Sequence, residues 1–244
     1  MRKKYRVFST IIGIILVCTL MLLLWVSPKS PDFSQYDAGI DRKTAFFSYF
    51  IPIIQQQNNE ILLERAKLVK WQKAPKKIGW WDRQSLVKKA VHYRVKNFDL
   101  NNQQHWQQLL NKVDALPVSL ALAQAANESA WGTSRFAVKG RNYFGQWCFE
   151  QGCGIVPQQR DNAKAHEVAV FNSPKDSVAS YLRNLNSHPA YAKLRVIRLD
   201  LVNRNQKVTG IALAEGLLHY SERGEHYIAE LRDMISFNKL EQYD

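Results

Sequence analysis

In the run "AQAANESAWG", residues 123 to 132, one ionisable acid, Glu128, stands among small residues just ahead of a tryptophan and a glycine. The stretch around it places Leu120, Ala121, Leu122, Ala123, Ala125 and Ala126 on every face of a helix, and a helix apolar all round is buried. Gln124 and Glu128 are four residues apart and share a face. A lone glutamate on a helix is ordinarily a solvated surface group. Here, burial beside Trp131 would keep the carboxyl protonated, because desolvation disfavours the charged form. A carboxylic acid held protonated near neutral pH is the general acid that a glycosidic oxygen needs.

Other reactive side chains form weaker patterns. Cys148 and Cys153 lie in "CFEQGC". In an oxidising compartment that spacing closes a small loop disulfide; two free thiols or part of a metal site are the alternatives. Zinc would want two more ligands, and the six histidines (92, 105, 166, 188, 219, 226) form no HExxH pattern. Neither a metal nor a cofactor is expected. Residues 67 to 99 hold ten Lys/Arg against Asp82 and Asp99, interleaved with Trp71, Trp80 and Trp81. Alone, that mixture suggests nucleic acid. An anionic cell-surface polymer, the membrane face, or a solvated basic face with inward tryptophans fits equally, and no site is assigned there.

The elements that must position Glu128 read as helices. From Arg42 to Trp71, apolar residues recur at three- and four-residue spacing, and Pro52 should kink or divide that helix. A second helix runs near Gln103 to Val113. The helix bearing Glu128 starts at Pro117, suited to a first helical position, and ends before Gly132. "NSPKDSVASYLRNLNSHPAY" opens with Ser173 as N-cap, Pro174 next and Asp176 as a capping-box-like acid, with Val178, Tyr181, Leu182 and Leu185 as its apolar face. Further helices are expected near 209–219 and 225–237. Between them, residues 141 to 172 carry Gly145, Gly152 and Gly154, and "HEVAVF" alternates as a strand would, which predicts a small β-hairpin.

Hydrophobic residues at 46% with 23% charged describe a folded chain, and 244 residues suffice for one ordinary domain with appendages. A net charge of +13 favours an anionic partner. The N-terminus suggests where that partner lies. Arg2, Lys3, Lys4 and Arg6 precede an uncharged stretch from Val7 to Val26, long enough at about 1.5 Å per residue to span a bilayer core of roughly 30 Å. No small-residue cleavage site comes after it, so it reads as an uncleaved signal anchor in the inner membrane, with the chain beyond Ser27 outside the cytoplasm. That location argues against nucleic acid. The organisation expected is 1–27 basic end and transmembrane anchor, 28–41 linker, 42–100 N-terminal helical region packing on the core, and 101–244 catalytic domain.

"ALAQAANESAWGTSRFAVKGRNYFGQW" resembles the catalytic core of glycoside hydrolase family 73, the peptidoglycan N-acetylglucosaminidases. Those enzymes carry an A-Q-x-x-x-E-S-x-W-G helix followed by N-x-F-G. "FNSPKDSVASYLRNLNSHPAYAKL" is similar to the family's aromatic-rich helix ending in a Pro-x-Tyr turn, and "HYSERGEHYIAELRDMI" lies where the family has a Tyr-Ala-Thr-Asp segment. The resemblance covers roughly residues 110 to 238 and is closest to the Bax-type members of bacterial envelopes. It implies a mainly α, lysozyme-like domain with a small β-hairpin lobe, acting on peptidoglycan glycan strands in the periplasm or on the outer face of the cytoplasmic membrane.

Residue by residue, the resemblance makes Glu128 the general acid and Tyr220 the tyrosine at the base of the cleft. Gln124, Trp131, Phe144, Tyr181 and Tyr191 are carried over as substrate-binding positions. The family's second carboxylate, from its β-hairpin lobe, aligns near Gln159, which cannot ionise. Asp161 is the first substitute, with Glu167, Glu150, Glu222 or the substrate's own N-acetyl group as alternatives. A lytic transglycosylase and a catalytically idle wall-binding module are the rival readings.

Overall fold

Phe46, Phe50 and Ile54, four residues apart, form one buried stripe on helix α1 (Ile40–Lys73). Farther along the same helix, Leu68 and Trp71 are buried against a different set of partners. The helix therefore serves two cores in succession. Pro52 lies within it without dividing it, so of the kink or division expected from sequence the division does not occur. Proline removes one backbone donor, leaving the Ser48 carbonyl without its helical partner. Both Pro52 and Ser48 are solvent-exposed, and Phe50 and Ile54 on either side of the proline pack into the same core. Water can serve the carbonyl while packing keeps the helix running.

The computed structural model describes residues 30–158 and 166–244. The anchor expected at residues 7 to 26 lies outside the described residues, as does Asp161. Among those described, no helix is long and apolar enough to cross a membrane. Residues Asp32–Asp244 form one compact unit. Phe33, inside the stretch expected to be a linker, is buried and packs its ring 5.2 Å from Phe46.

After α1, helix α2 (Trp80–His92) buries Leu86 and Ala90 in the smaller core. Helix α3 (Gln103–Lys112) is capped by the Asn102 side chain, which accepts from the Gln104 and His105 amides, and it adds Trp106 and Leu109. The central helix α4 (Val118–Ser129) is buried on nearly every face, as its composition requires. Pro117 is its N-cap rather than its first helical residue. Ala130, Trp131 and Gly132 all take positive φ, and the Trp131 amide returns to the Ala126 carbonyl, so the helix stops abruptly.

Helix α5 (Arg135–Gly140) leads to three short strands: β1 (Trp147–Cys148), β2 (Gly154–Ile155) and β3 (Glu167–Ala169). They form a three-stranded antiparallel sheet in the order β1-β3-β2, with Cys148 opposite Glu167 and Ile155 opposite Val168. A single hairpin was expected; the final strand instead inserts between the two ends of the cysteine loop. Helix α6 (Pro174–Ser187) begins as its sequence predicts, with Ser173 Oγ accepting from the Asp176 amide. Helices α7 (Ala192–Asn203), α8 (Gly210–Ala214) and α9 (Glu225–Phe237) complete the main core around α4. The architecture is mainly helical with one small sheet.

Candidate active site

The α4 helix carries Glu128 to its last turn, where the abrupt stop leaves the side chain half-buried at the floor of a cleft of about 710 Å³. Burial raises its pKa above the ordinary carboxylate value, with Glu230 adding to the rise and Tyr227 and Arg223 opposing it. Tyr227, on α9, donates its hydroxyl proton to Glu128 Oε1 at 2.8 Å. Burial, then the neighbouring Glu128, keeps that phenol protonated. The chain continues inward: Gln124 Nε2 donates to the Tyr227 oxygen at 2.9 Å, and the Tyr181 hydroxyl donates to Gln124 Oε1 at 2.6 Å. Every donor in this chain is aimed toward the carboxyl.

The other carboxyl oxygen faces the loop between α5 and β1. Gly145 has φ of +61°, and a Cβ there would lie 3.5 Å from Glu128 Oε2. A side chain at Gly145 would thus strain the backbone, with its Cβ in ordinary van der Waals contact with the carboxyl. Asn142 holds this loop in shape. Its Nδ2 donates to the carbonyls of Gln146 and Ala169 at 2.8 and 2.9 Å, and its Oδ1 accepts from the Gln146 amide at 3.0 Å. The N-x-F-G signature is thereby a backbone device beside the acid.

Of the residues expected to bind substrate, Phe144 and Tyr191 line the cleft, as do Glu128 and Tyr220. The Tyr220 hydroxyl donates to the Phe144 carbonyl at 2.9 Å, and its ring lies parallel to that of Tyr227 at 5.6 Å. Gln124 and Tyr181 lie outside the cleft lining: both are wholly buried, joined in the hydrogen-bond chain, with Tyr181 stacked on Phe144 at 3.9 Å. Trp131 is also outside the lining. Its positive φ carries the ring to Phe46 and Phe47 on α1, with Lys43 over its face, and it is not part of the cleft wall.

Among the carboxylates weighed as partners of Glu128, Glu167 is buried, accepting the Gly152 amide on one oxygen and the Gly154 amide on the other, at 3.0 and 2.8 Å. It shapes the loop closed by the disulfide between Cys148 and Cys153. Glu150 and Glu222 are exposed and lie outside the cleft wall. Cys148, Cys153 and Glu167 are also the set nearest to a metal-ligand cluster among the described residues, and the disulfide takes both sulfurs.

Several cleft residues were missed from sequence alone. Trp147 and Phe149 flank Cys148 and present large exposed aromatic surfaces. Arg94 and Arg183 make the rim basic: His92 is lowered by burial and then by Arg183, and His188 by burial and then by Arg94. The aromatic pair beside "CFEQGC" was a legible signal; Arg94 and Arg183 meet only through folding.

The site thus presents a half-buried carboxyl with a raised pKa in an aromatic-lined, basic-rimmed cleft. The chain belongs to the glucosaminidase family, described as mannosyl-glycoprotein endo-beta-N-acetylglucosaminidase, which it matches over residues 103–240. It is a glycoside hydrolase. It is 36% identical over 216 residues to Protein bax of Escherichia coli (strain K12), an alignment spanning 87% of this chain and 76% of that protein. Among solved structures it is similar to the catalytic domain of the autolysin Auto from Listeria monocytogenes, with a TM-score of 0.46 and 17% identity over 94% of this chain and 97% of that one.

Proposed function

We propose that this chain hydrolyses the β-1,4 bond after N-acetylglucosamine in peptidoglycan, with Glu128 as general acid. The observation that carries this reading is the half-buried Glu128 carboxyl at the cleft floor, its pKa raised, with Tyr227 donating to Oε1. With Oε1 engaged by Tyr227, the acid proton rides on Oε2. Transfer to the leaving glycosidic oxygen creates a carboxylate, and the Tyr227 hydrogen bond is strongest to that charged product. Positive charge developing at the anomeric carbon is met from the opposite side by a second group. Asp161 or the substrate's N-acetyl oxygen is the proposed group, since Glu167 already accepts two backbone amides and Glu150 and Glu222 do not line the cleft. The basic rim attracts the free carboxylates of peptidoglycan peptides. Residues 7 to 26 would anchor the chain in the inner membrane, with the cleft on the outer side.

Incubating intact sacculi with the chain and with Glu128→Gln tests the reading. Substitution should lower turnover by about 10²- to 10⁴-fold, and mass spectrometry of the wild-type digest should find reducing N-acetylglucosamine ends. Near-normal turnover by Glu128→Gln, or 1,6-anhydro ends, would overturn it.

A further inference from the structure

Outside the stretch matched by the family, α2 opens with two neighbouring tryptophans that do not pack inward. Trp80 is 62% and Trp81 80% exposed, their rings 4.4 Å apart at an edge-to-face angle. Exposed tryptophans at a surface groove mark an interaction site more often than a structural need. With Lys88 and His92 from the same helix, and Glu64 from α1, they line a shallow groove of about 780 Å³. His92 also lines the catalytic cleft, so the two depressions meet at that residue. Electrostatics gives the same adjacency independently, since His92 feels Arg183 on the cleft side and Glu64 and Lys89 on the groove side. Lys89 is neutralised by Glu64 at 2.8 Å, while Lys88 is exposed.

We propose that the Trp80–Trp81 groove is a distal binding site for the same polymer that enters the cleft. A glycan strand leaving the cleft passes His92 and lays sugar faces on the two indoles. Its acidic peptide stems lie against Lys88 and Arg183. The chemistry fits at both ends: the C–H face of a pyranose is apolar and suits an aromatic ring, and carboxylates suit a basic rim. The inference rests on the peptidoglycan reading for its ligand but not on turnover.

The test separates the two. The full-length chain carrying Glu128→Gln binds without cleaving, and its retention on purified sacculi is measured by pelleting. Adding Trp80→Ala and Trp81→Ala should lower retention about tenfold, the size of two aromatic contacts. Adding Lys88→Glu instead should lower it severalfold, more at low salt than at high. All three positions are exposed, and an unchanged melting temperature shows that the fold persists. In the active chain, the tryptophan variant should lose the preference for whole sacculi over a soluble tetrasaccharide. Unchanged retention in both variants overturns the proposal. So does a loss seen only with phosphatidylglycerol vesicles, which would make the groove a membrane contact. If the unsubstituted chain releases no sugar while retention still depends on Trp80 and Trp81, the hydrolase reading fails and the distal site stands.

Discussion

Glu128 has a different neighbour at each oxygen: a tyrosine hydroxyl at Oε1 and the Gly145 backbone bend beside Oε2. Burial favours the neutral acid, whereas the tyrosine donor favours the carboxylate. The net effect is a raised pKa, so activity that depends on Glu128 as the proposed general acid should fall as pH rises through that pKa. Removing the donor with Tyr227→Phe eliminates an influence that lowers that pKa, so the basic limb of kcat/KM should move to still higher pH. Turnover at the optimum should fall about ten- to a hundredfold, because the carboxylate formed in the step loses one charge-assisted hydrogen bond. A pH-rate profile on a soluble muropeptide reads both effects, and a stationary limb would remove Tyr227 from the acid's environment. Glu128 was legible from sequence because a carboxyl in an all-round apolar helix is out of place. Tyr227 was not: it lies 99 residues away and its helical spacing reads as core.

At the scale of elements, local signals decided what the sequence revealed. Ser173 and Pro174 start α6 where expected because a cap acts on its own first turn. The strand in "HEVAVF" was legible, but the three-stranded order was not, because β3 pairs with two strands, one at each end of the cysteine loop, each only two residues long. The consequence falls on Glu167, which opens β3 and was weighed as a catalytic partner. Its carboxylate oxygens accept from Gly152 and Gly154, fixing the disulfide loop whose first residues form cleft wall. Glu167→Gln keeps one acceptor of the same shape. It should therefore raise KM and leave kcat within about tenfold, whereas loss of a catalytic carboxylate costs about 10²- to 10⁴-fold in kcat. Steady-state kinetics on sacculi fragments distinguishes the two; a collapse of kcat alone would return Glu167 to the chemistry.

Across the whole molecule, α1 is the member that ties the region before residue 100 to the helix bearing Glu128. Its first half shares the main core with α4, and its second half shares the smaller core with α2 and α3. A boundary near residue 100 was a natural reading of the sequence, since the basic, tryptophan-bearing segment differs in composition from the chain beyond it. The apolar residues of α1 are spread between two cores, so its periodicity does not show which part faces which. The join is also polar. Asn58 is buried on α1, donating to the Leu116 carbonyl at 2.7 Å and accepting the Leu116 amide at 3.1 Å, immediately before α4. Asn58→Ala leaves two backbone groups buried without partners, a loss of about 2–4 kcal/mol. Because both cores hang on one helix, the loss should shift the entire urea transition, with tryptophan fluorescence, circular dichroism and residual activity moving together. Separate transitions, with activity surviving after the fluorescence change, would mean that the region before residue 100 unfolds alone and that α1 does not bind the two cores into one cooperative unit.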